Sequence, residues 1–475
     1  MEPTNNYRVF LITLCTSILY FTMGTAFGWT SPTMPKLREH TIDSPLENAV
    51  SISNEGWIGS LLTIGGLLAS FFSGPLAGRI GRKPTLLLSS LFFSVSFILF
   101  IFGMKVWILC LGRFIQGLGA GLASSTVPIY IGEIAPDECR GALGTIYNLF
   151  LIGGIIYIYA IGPYVSYMSL QWYCLAIPVI FFFICFFMPE SPYFLATKGR
   201  KVDGIKSLKS IRGQSMEAAK IEMNMIQKDV DESMSNTGTV FDIFCNRGYR
   251  RALIICCGLL IFQALSGTTA ITFNCQTIFM SAESTIDPAL ASILLGIVQL
   301  LSSFLTPLFI ERLGRKIILL ISAVGICVAL FALGTFFYVK TFDDASQILW
   351  IPVPALVLFC GAFAFGFGSI PWAVLGEIFP PNIKSIATSI ATTSVWLMTF
   401  IVTRWYPEID ALGSYYSFWI FGSLTFVSIF FIIFVMIETK GLSLREIQDK
   451  LHSSKISMRN QKIYESVQTN TAGKI

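Results

Sequence analysis

Apolar residues in this chain gather into long runs separated by short polar segments, and the runs recur from one end to the other. Stretches with few or no charges fall at about 8–30, 56–77, 84–103, 107–131, 142–162, 170–188, 252–281, 290–310, 317–339, 351–375, 386–404 and 416–437. A bilayer-crossing helix needs ~20 apolar residues. The pattern therefore predicts an all-α membrane protein with twelve transmembrane helices. The first run lacks a small-residue cleavage signal and eleven more follow it, so it reads as a span and not as a removed signal peptide.

Composition narrows the picture. The chain has 475 residues, 54% apolar and 13% charged, against about 25% charge in a soluble protein; an ordinary soluble enzyme is excluded. Most of the eleven cysteines lie inside the apolar runs, as small buried residues do, so no disulfide scaffold is implied. Neither His40 nor His452 stands in a run, and no phosphate-binding Gly-x4-Gly-Lys-Ser/Thr loop occurs. No metal, no cofactor, no nucleic-acid partner and no ATP-driven step is expected.

Lysine and arginine set the orientation. With the N-terminus cytoplasmic, 27 of the 33 bases fall on the inner side, five on the outer side, and Arg113 lies within a span. A multi-pass protein of the cell membrane with both termini cytoplasmic follows. Trp29, Trp57, Trp107, Trp172, Trp350 and Trp405 fall at the predicted outer ends, where an aromatic belt is expected. The segment 31–54 is the only sizeable outer loop.

The polar interruption at 189–250 divides the chain. It separates a first six-span bundle (1–188) from a second (251–437), with 438–475 as a cytoplasmic tail, and Ser215 to Asp231 has helix-forming composition. Short helices on the cytoplasmic face are predicted there. The halves also repeat. Gly78-Arg79-Ile80-Gly81-Arg82-Lys83 after span 2 matches Glu311-Arg312-Leu313-Gly314-Arg315-Lys316 after span 8; Glu133 and Arg140 match Glu377 and Lys384; Glu190 matches Glu438. The offsets are 233, 244 and 248 residues. These charges predict ion-pair clusters that join the two halves on the inside in one state and part in the other. Surface pairs of ~0–1 kcal/mol each suit a latch that must open.

The same residues carry a family resemblance. The paired Gly-Arg-x-Gly-Arg-Lys-type loops, Arg113 to Gly121, the Pro128-x-Tyr-x-x-Glu-x-Ala-Pro-x3-Arg-Gly stretch, Pro189-Glu-Ser-Pro and Glu438-Thr-Lys-Gly are similar to the sugar porter family of the major facilitator superfamily, over essentially the whole chain. Among its members, Ile370-Pro371-Trp372, Gly376-Glu377-Ile378 and the tail signature most resemble the insect facilitated trehalose transporters. The resemblance implies two six-helix bundles in the major facilitator fold, a sugar site between them and alternating access.

A sugar site needs hydroxyl partners and an aromatic face. Span 7 is unusually polar for an apolar run, with Gln263, Ser266, Thr268, Thr269, Asn274 and Gln276; span 8 adds Gln299, span 5 Asn148, and spans 10 and 11 carry Trp372 and Trp396 away from the belt. The resemblance supports Gln263, Trp372 and Trp396 at sugar-contact positions. It departs at Ala264, Thr269, Gln299, Asn148 and Val395, where the family has other residues, so the substrate is open at this point. Gly361, Gly366, Gly368 and Pro371 predict a bend in span 10.

All 28 carboxylates fall in loops or at span ends, and an intramembrane acid would mark a proton path. Proton-coupled sugar porters pair an Asp in the first span with an Arg in the fourth; Thr30 stands at the acidic position here, and Arg113 is expected to bond carbonyls or hydroxyls of span 1. These readings lead to facilitated uniport of a hexose or trehalose by a monomer in the lipid bilayer. The alternatives are a proton symporter and a sugar sensor of the same fold that transports poorly.

Overall fold

The computed structural model describes residues 6–38, 45–46, 48–136, 139–235, 240–284, 286–442 and 444–452. Twelve of its helices are long and apolar enough to cross a membrane. Spans 1 to 6 are Tyr7–Arg38, Ile52–Ile80, Arg82–Phe102, Val106–Ile134, Leu143–Ile161 and Tyr167–Phe187. Spans 7 to 12 are Arg247–Phe273, Pro288–Ile310, Arg315–Phe342, Ser346–Ile378, Ile386–Leu412 and Ser414–Phe434. An even number of crossings puts both described chain ends on one side of the molecule, called here the terminal end.

The helices begin where capping chemistry allows. Ser51 accepts the Asn54 N–H at 3.3 Å to start span 2, and Asp287, followed by Pro288, accepts the N–H groups of Ala289 and Leu290 to start span 8, each satisfying donors that a helix start leaves unpaired. Spans 2 and 3 join at Gly81 with φ of +108°, and spans 8 and 9 at Gly314 with φ of +87°. Only glycine adopts such a conformation at little cost, so the repeated Arg-x-Gly-Arg pattern is the sequence of one tight turn made twice.

Small residues bring the spans of the first half together. A β-carbon on Gly24 would stand 2.0 Å from the Leu151 carbonyl oxygen, and one on Gly117 would stand 2.0 Å from that of Leu62. Spans 1 and 5, and spans 2 and 4, thus touch backbone to backbone, the mode expected where lipid supplies no hydrophobic drive between helices. Gly117, Gly119 and Gly121 of span 4 serve packing.

Two features differ from the pattern read in the sequence. Span 1 does not stop near residue 30 but turns at Trp29 and continues as a helix from Thr30 to Arg38, so part of the expected outer loop is helical. Trp29 itself is fully buried, stacked on Phe100 with ring centroids 4.6 Å apart, and its indole N–H donates to Gln171 Oε1 at 2.9 Å. It belongs to the core and not to an interfacial belt, whereas Trp57, Trp107, Trp172, Trp350 and Trp405 are exposed. The central linker forms helices Pro192–Thr197, Lys201–Arg212, Met216–Ser235 and Val240–Cys245, the first three packed around Leu208, Ala219, Met223 and Ile226. A last helix, Leu444–His452, lies against the second half, where Gln448 donates to the Ile378 carbonyl at 2.7 Å and Arg251 to that of Leu451 at 3.0 Å.

Candidate functional site

Two spans of the second half are interrupted near their middles. Span 7 stops at Leu265, turns through Gly267 at φ of +78°, resumes over Thr268–Phe273 and breaks again at Asn274 before Cys275–Ala282. Span 10 runs as Pro352–Phe365, breaks, and resumes as Ile370–Ile378. A break inside a membrane leaves backbone groups that need new partners, and neighbouring side chains provide them. Ser322 donates to the Ala362 carbonyl at 2.7 Å and accepts the Phe367 N–H at 3.1 Å; Thr306 donates to the Phe365 carbonyl at 3.1 Å. Gln263 Nε2 donates to the Phe367 carbonyl at 2.6 Å.

Of the residues expected to meet sugar, Gln263 is therefore half committed. Its amide nitrogen ties span 7 to the break of span 10, which leaves its oxygen as the acceptor. Thr269, Gln299 and Asn148 are half-buried and their side chains make no hydrogen bond among the described residues, so each retains capacity for a hydroxyl. Trp372 is 40% exposed on the resumed half of span 10, while Trp396 is buried.

Trp396 marks where the two halves meet. It packs over Gly66 of span 2, and its ring centroid lies 6.4 Å from that of Phe27, which lies 6.1 Å from Phe273. Phe273 and Trp396, from the second half, are buried in the apolar core of the first. From that level to the end away from the termini the halves are in contact: Thr403 and Phe273 face Gly59, Arg404 covers Gly56, Tyr159 donates to the Thr272 carbonyl at 2.7 Å, and Ser31 accepts the Gln276 N–H at 3.0 Å. Toward the terminal end, by contrast, a β-carbon on Gly74, Gly78, Gly144 or Gly376 would meet nothing within 4 Å. The halves are thus joined at the end away from the termini.

Arg113 lies buried in this closed region. It donates from Nε to the Ile58 carbonyl at 3.1 Å and from Nη1 to the Ala26 carbonyl and Gln116 Oε1, both at 2.7 Å, with the Trp29 and Phe273 rings 5.4 and 5.5 Å from its guanidinium carbon. Carbonyls and aromatic faces hold the cation; Thr30 is buried beside Trp29. The carbonyl of span 1 was expected, and that of span 2 was not.

The charged motifs form two matching clusters, one in each half. Arg82 pairs with Glu133 at 2.6 Å and Arg315 with Glu377 at 2.7 Å; Ser191 donates to Glu133, and Thr439 to Glu377 at 2.8 Å. Glu190 accepts the backbone N–H of Arg82 and Lys83, and Glu438 those of Arg315 and Lys316, at 2.9 to 3.2 Å. Each glutamate thus caps the helix that follows the glycine turn, where an anion meets the positive end of the helix dipole. Their environments differ. Burial pushes the Glu190 carboxyl above its ordinary range in spite of its backbone bonds, whereas at Glu438 burial is outweighed by the N–H groups of Lys316, Lys440, Arg315 and Thr439, which hold it below. Lys384 donates to the Gly376 carbonyl at 2.6 Å, and burial lowers its ammonium against the opposing charge of Glu377.

Among the described residues, the ion pairs of these motifs lie within their own halves, Arg82–Glu133 in the first and Arg315–Glu377 in the second, the parted arrangement that the expectation allows for one state. Arg79 and Arg312 make no ion pair among the described residues. Arg140 and Glu311 stand in helices, but their side chains lie outside the described set. The backbone-capping role of Glu190 and Glu438 escaped sequence reasoning, although the glycine turn was a cue.

Twelve spans in two matching halves, with broken helices in spans 7 and 10 and the halves joined at one end, define a membrane carrier with the major facilitator fold. A family model described as sugar (and other) transporter matches residues 10–451, and the chain belongs to that family: it is a transporter and not an enzyme. It is 35% identical over 450 residues to the facilitated trehalose transporter Tret1 of Apis mellifera ligustica, covering 94% of this chain and 89% of that protein. It is 35% identical over 452 residues to the Bombyx mori protein of the same name, covering 95% and 88%. In structure it resembles the inward-open conformation of the xylose transporter XylE from E. coli, with a TM-score of 0.77 and 23% identity over 93% of this chain and 99% of that one, a likeness of fold.

Proposed function

We propose that the protein is a uniporter that moves a hexose or trehalose down its gradient across the plasma membrane by alternating access, with both termini cytoplasmic. The terminal end then faces the cytosol, and the conformation described here is inward-open. The supporting observation is the pair of broken spans 7 and 10 tied together by Gln263, with indoles at Trp372 and Trp396 and half-buried, unengaged polar groups on Thr269, Gln299 and Asn148 on spans 10, 11, 7, 8 and 5. Amides and hydroxyls match sugar hydroxyls, and indole faces match the ring's C–H groups.

Uniport is supported by the setting of Arg113. A proton carrier needs a titratable acceptor in the path, and this cation is wrapped in carbonyls and aromatic rings, while the buried residue after Trp29 is Thr30 and not an acid. The kinship with facilitated trehalose transporters points the same way. Tracer flux into proteoliposomes, with trehalose, glucose, fructose and polyols in competition, tests the reading. Saturable uptake that a protonophore leaves unchanged is expected. Stimulation by an inward proton gradient would make it a symporter, and sugar binding without flux would make it a sensor.

A further inference from the structure

We propose that Arg38 is a positioning residue of the transport cycle: closure of the outer end sets it between Glu55 of its own half and Asp410 of the other, and this contact holds that end shut. The inference rests on the carrier reading above. Arg38 ends the helical extension of span 1, and its Nε donates to Glu55 Oε2 at 2.7 Å. Glu55, in the first turn of span 2, is only 4% exposed. Asp410 comes from the last turns of span 11 and lines one small pocket together with Arg38, Glu55, Tyr406 and Ser414. The small pocket that these residues line also takes in Asn274, Thr277 and Ser281, so both halves build it.

The charge pattern gives the contact its direction. Two carboxylates from opposite halves face one guanidinium, and without it they would repel across a partly buried interface. No other described base is placed to substitute. Arg404 is bound to Glu408 at 2.7 Å and covers Trp57; Lys340 is bound to Glu283 and to the Ser281 carbonyl. The bonds are also divided along the plane of opening. Arg38–Glu55 stays within the first half and Asp410 belongs to the second, so among these charges separating the halves breaks the attraction between Arg38 and Asp410. Such a contact biases a two-state element without locking it.

The test reads outer accessibility and needs no sugar. A cysteine at Thr403, 5% exposed in the closed interface, is labelled from outside intact cells with a membrane-impermeant maleimide, against the same background without it. Arg38→Gln should raise labelling about fivefold or more, and Arg38→Gln/Asp410→Asn should bring it back toward the starting level. No rise overturns the proposal, as does a rise that the second substitution leaves in place, which would assign Arg38 a packing role. Should Arg38→Gln not reach the surface, Asp410→Lys sets like charges against each other from the other half and must raise labelling. Failure of the carrier reading is distinct: it appears as absent flux in the unmodified protein.

Discussion

Trp396 of the second half packs against Gly66 of the first so closely that a β-carbon at 66 would stand 2.7 Å from its Cζ3. This is the level from which the two halves are in contact, and glycine is what admits the indole. Gly66→Ala should therefore push the ring outward and destabilise the closed outer end by about 1–3 kcal/mol, the usual cost of overfilling a packed site. Uptake at equal surface expression should fall, and labelling of a cysteine at Thr403 should rise. Labelling and uptake both unchanged would mean that Trp396 moves without resistance and that Gly66 sets nothing.

Gln263 joins two roles in one side chain. Its nitrogen satisfies the carbonyls of the span 10 break while its oxygen keeps its acceptor capacity. Gln263→Ala removes both, and a buried carbonyl left without a donor costs about 1–3 kcal/mol. Sugar uptake should drop about tenfold or more at unchanged surface expression. Gln263→Glu keeps the acceptor but loses the donor, so it should separate the roles, with the break weakened and a sugar hydroxyl still able to bind. Kinetics unchanged in Gln263→Ala would remove the residue from the site.

Span count, the duplication and the bend in span 10 were legible because each is written locally: apolar length, repeated Arg-x-Gly-Arg turns, and Gly366, Gly368 and Pro371 within a few residues. What was not legible depends on which way a side chain points or on what meets it across the fold. Trp29 stands at a span end like the belt tryptophans, but the chain turns there and carries its indole inward onto Phe100. Glu190 and Glu438 were read as ion-pair partners, and yet their main acceptors' work is for backbone N–H groups more than a hundred residues away. Periodicity carries no information about such partners. Likewise Glu55 and Asp410 are far apart in sequence and were only two of many span-end acids until the fold brought them to Arg38.

Arg113 should be the least replaceable base in the chain. Its donors hold carbonyls of spans 1 and 2, and two rings cover it. Arg113→Lys keeps the charge but gives up the planar fork; Arg113→Leu leaves the Ala26 and Ile58 carbonyls without this donor. The second should lower thermal stability of the purified protein by several degrees, with a loss of about 3 kcal/mol or more, and the first by less. A thermal midpoint unchanged in Arg113→Leu would show that the carbonyls find other donors.

The two capping glutamates should respond oppositely to acid, although they occupy matching places. A carboxyl held above its ordinary range in the folded protein binds protons on folding, so Glu190 adds stability as the pH falls through that raised value. A carboxyl held below it releases protons on folding; the contribution of Glu438 is present above the ordinary carboxylate range and is lost as the pH falls through its lowered value. Thermal midpoints of the detergent-purified protein, measured from neutral pH down through the carboxylate range, resolve the two. Glu438→Gln should be destabilised at neutral pH and lose less on acidification than the unmodified protein, because the component that acid removes is already gone. Glu190→Gln should lose more, because the component that acid supplies is missing. Parallel curves for the two variants would show that the asymmetry between the halves at their glycine turns has no energetic consequence.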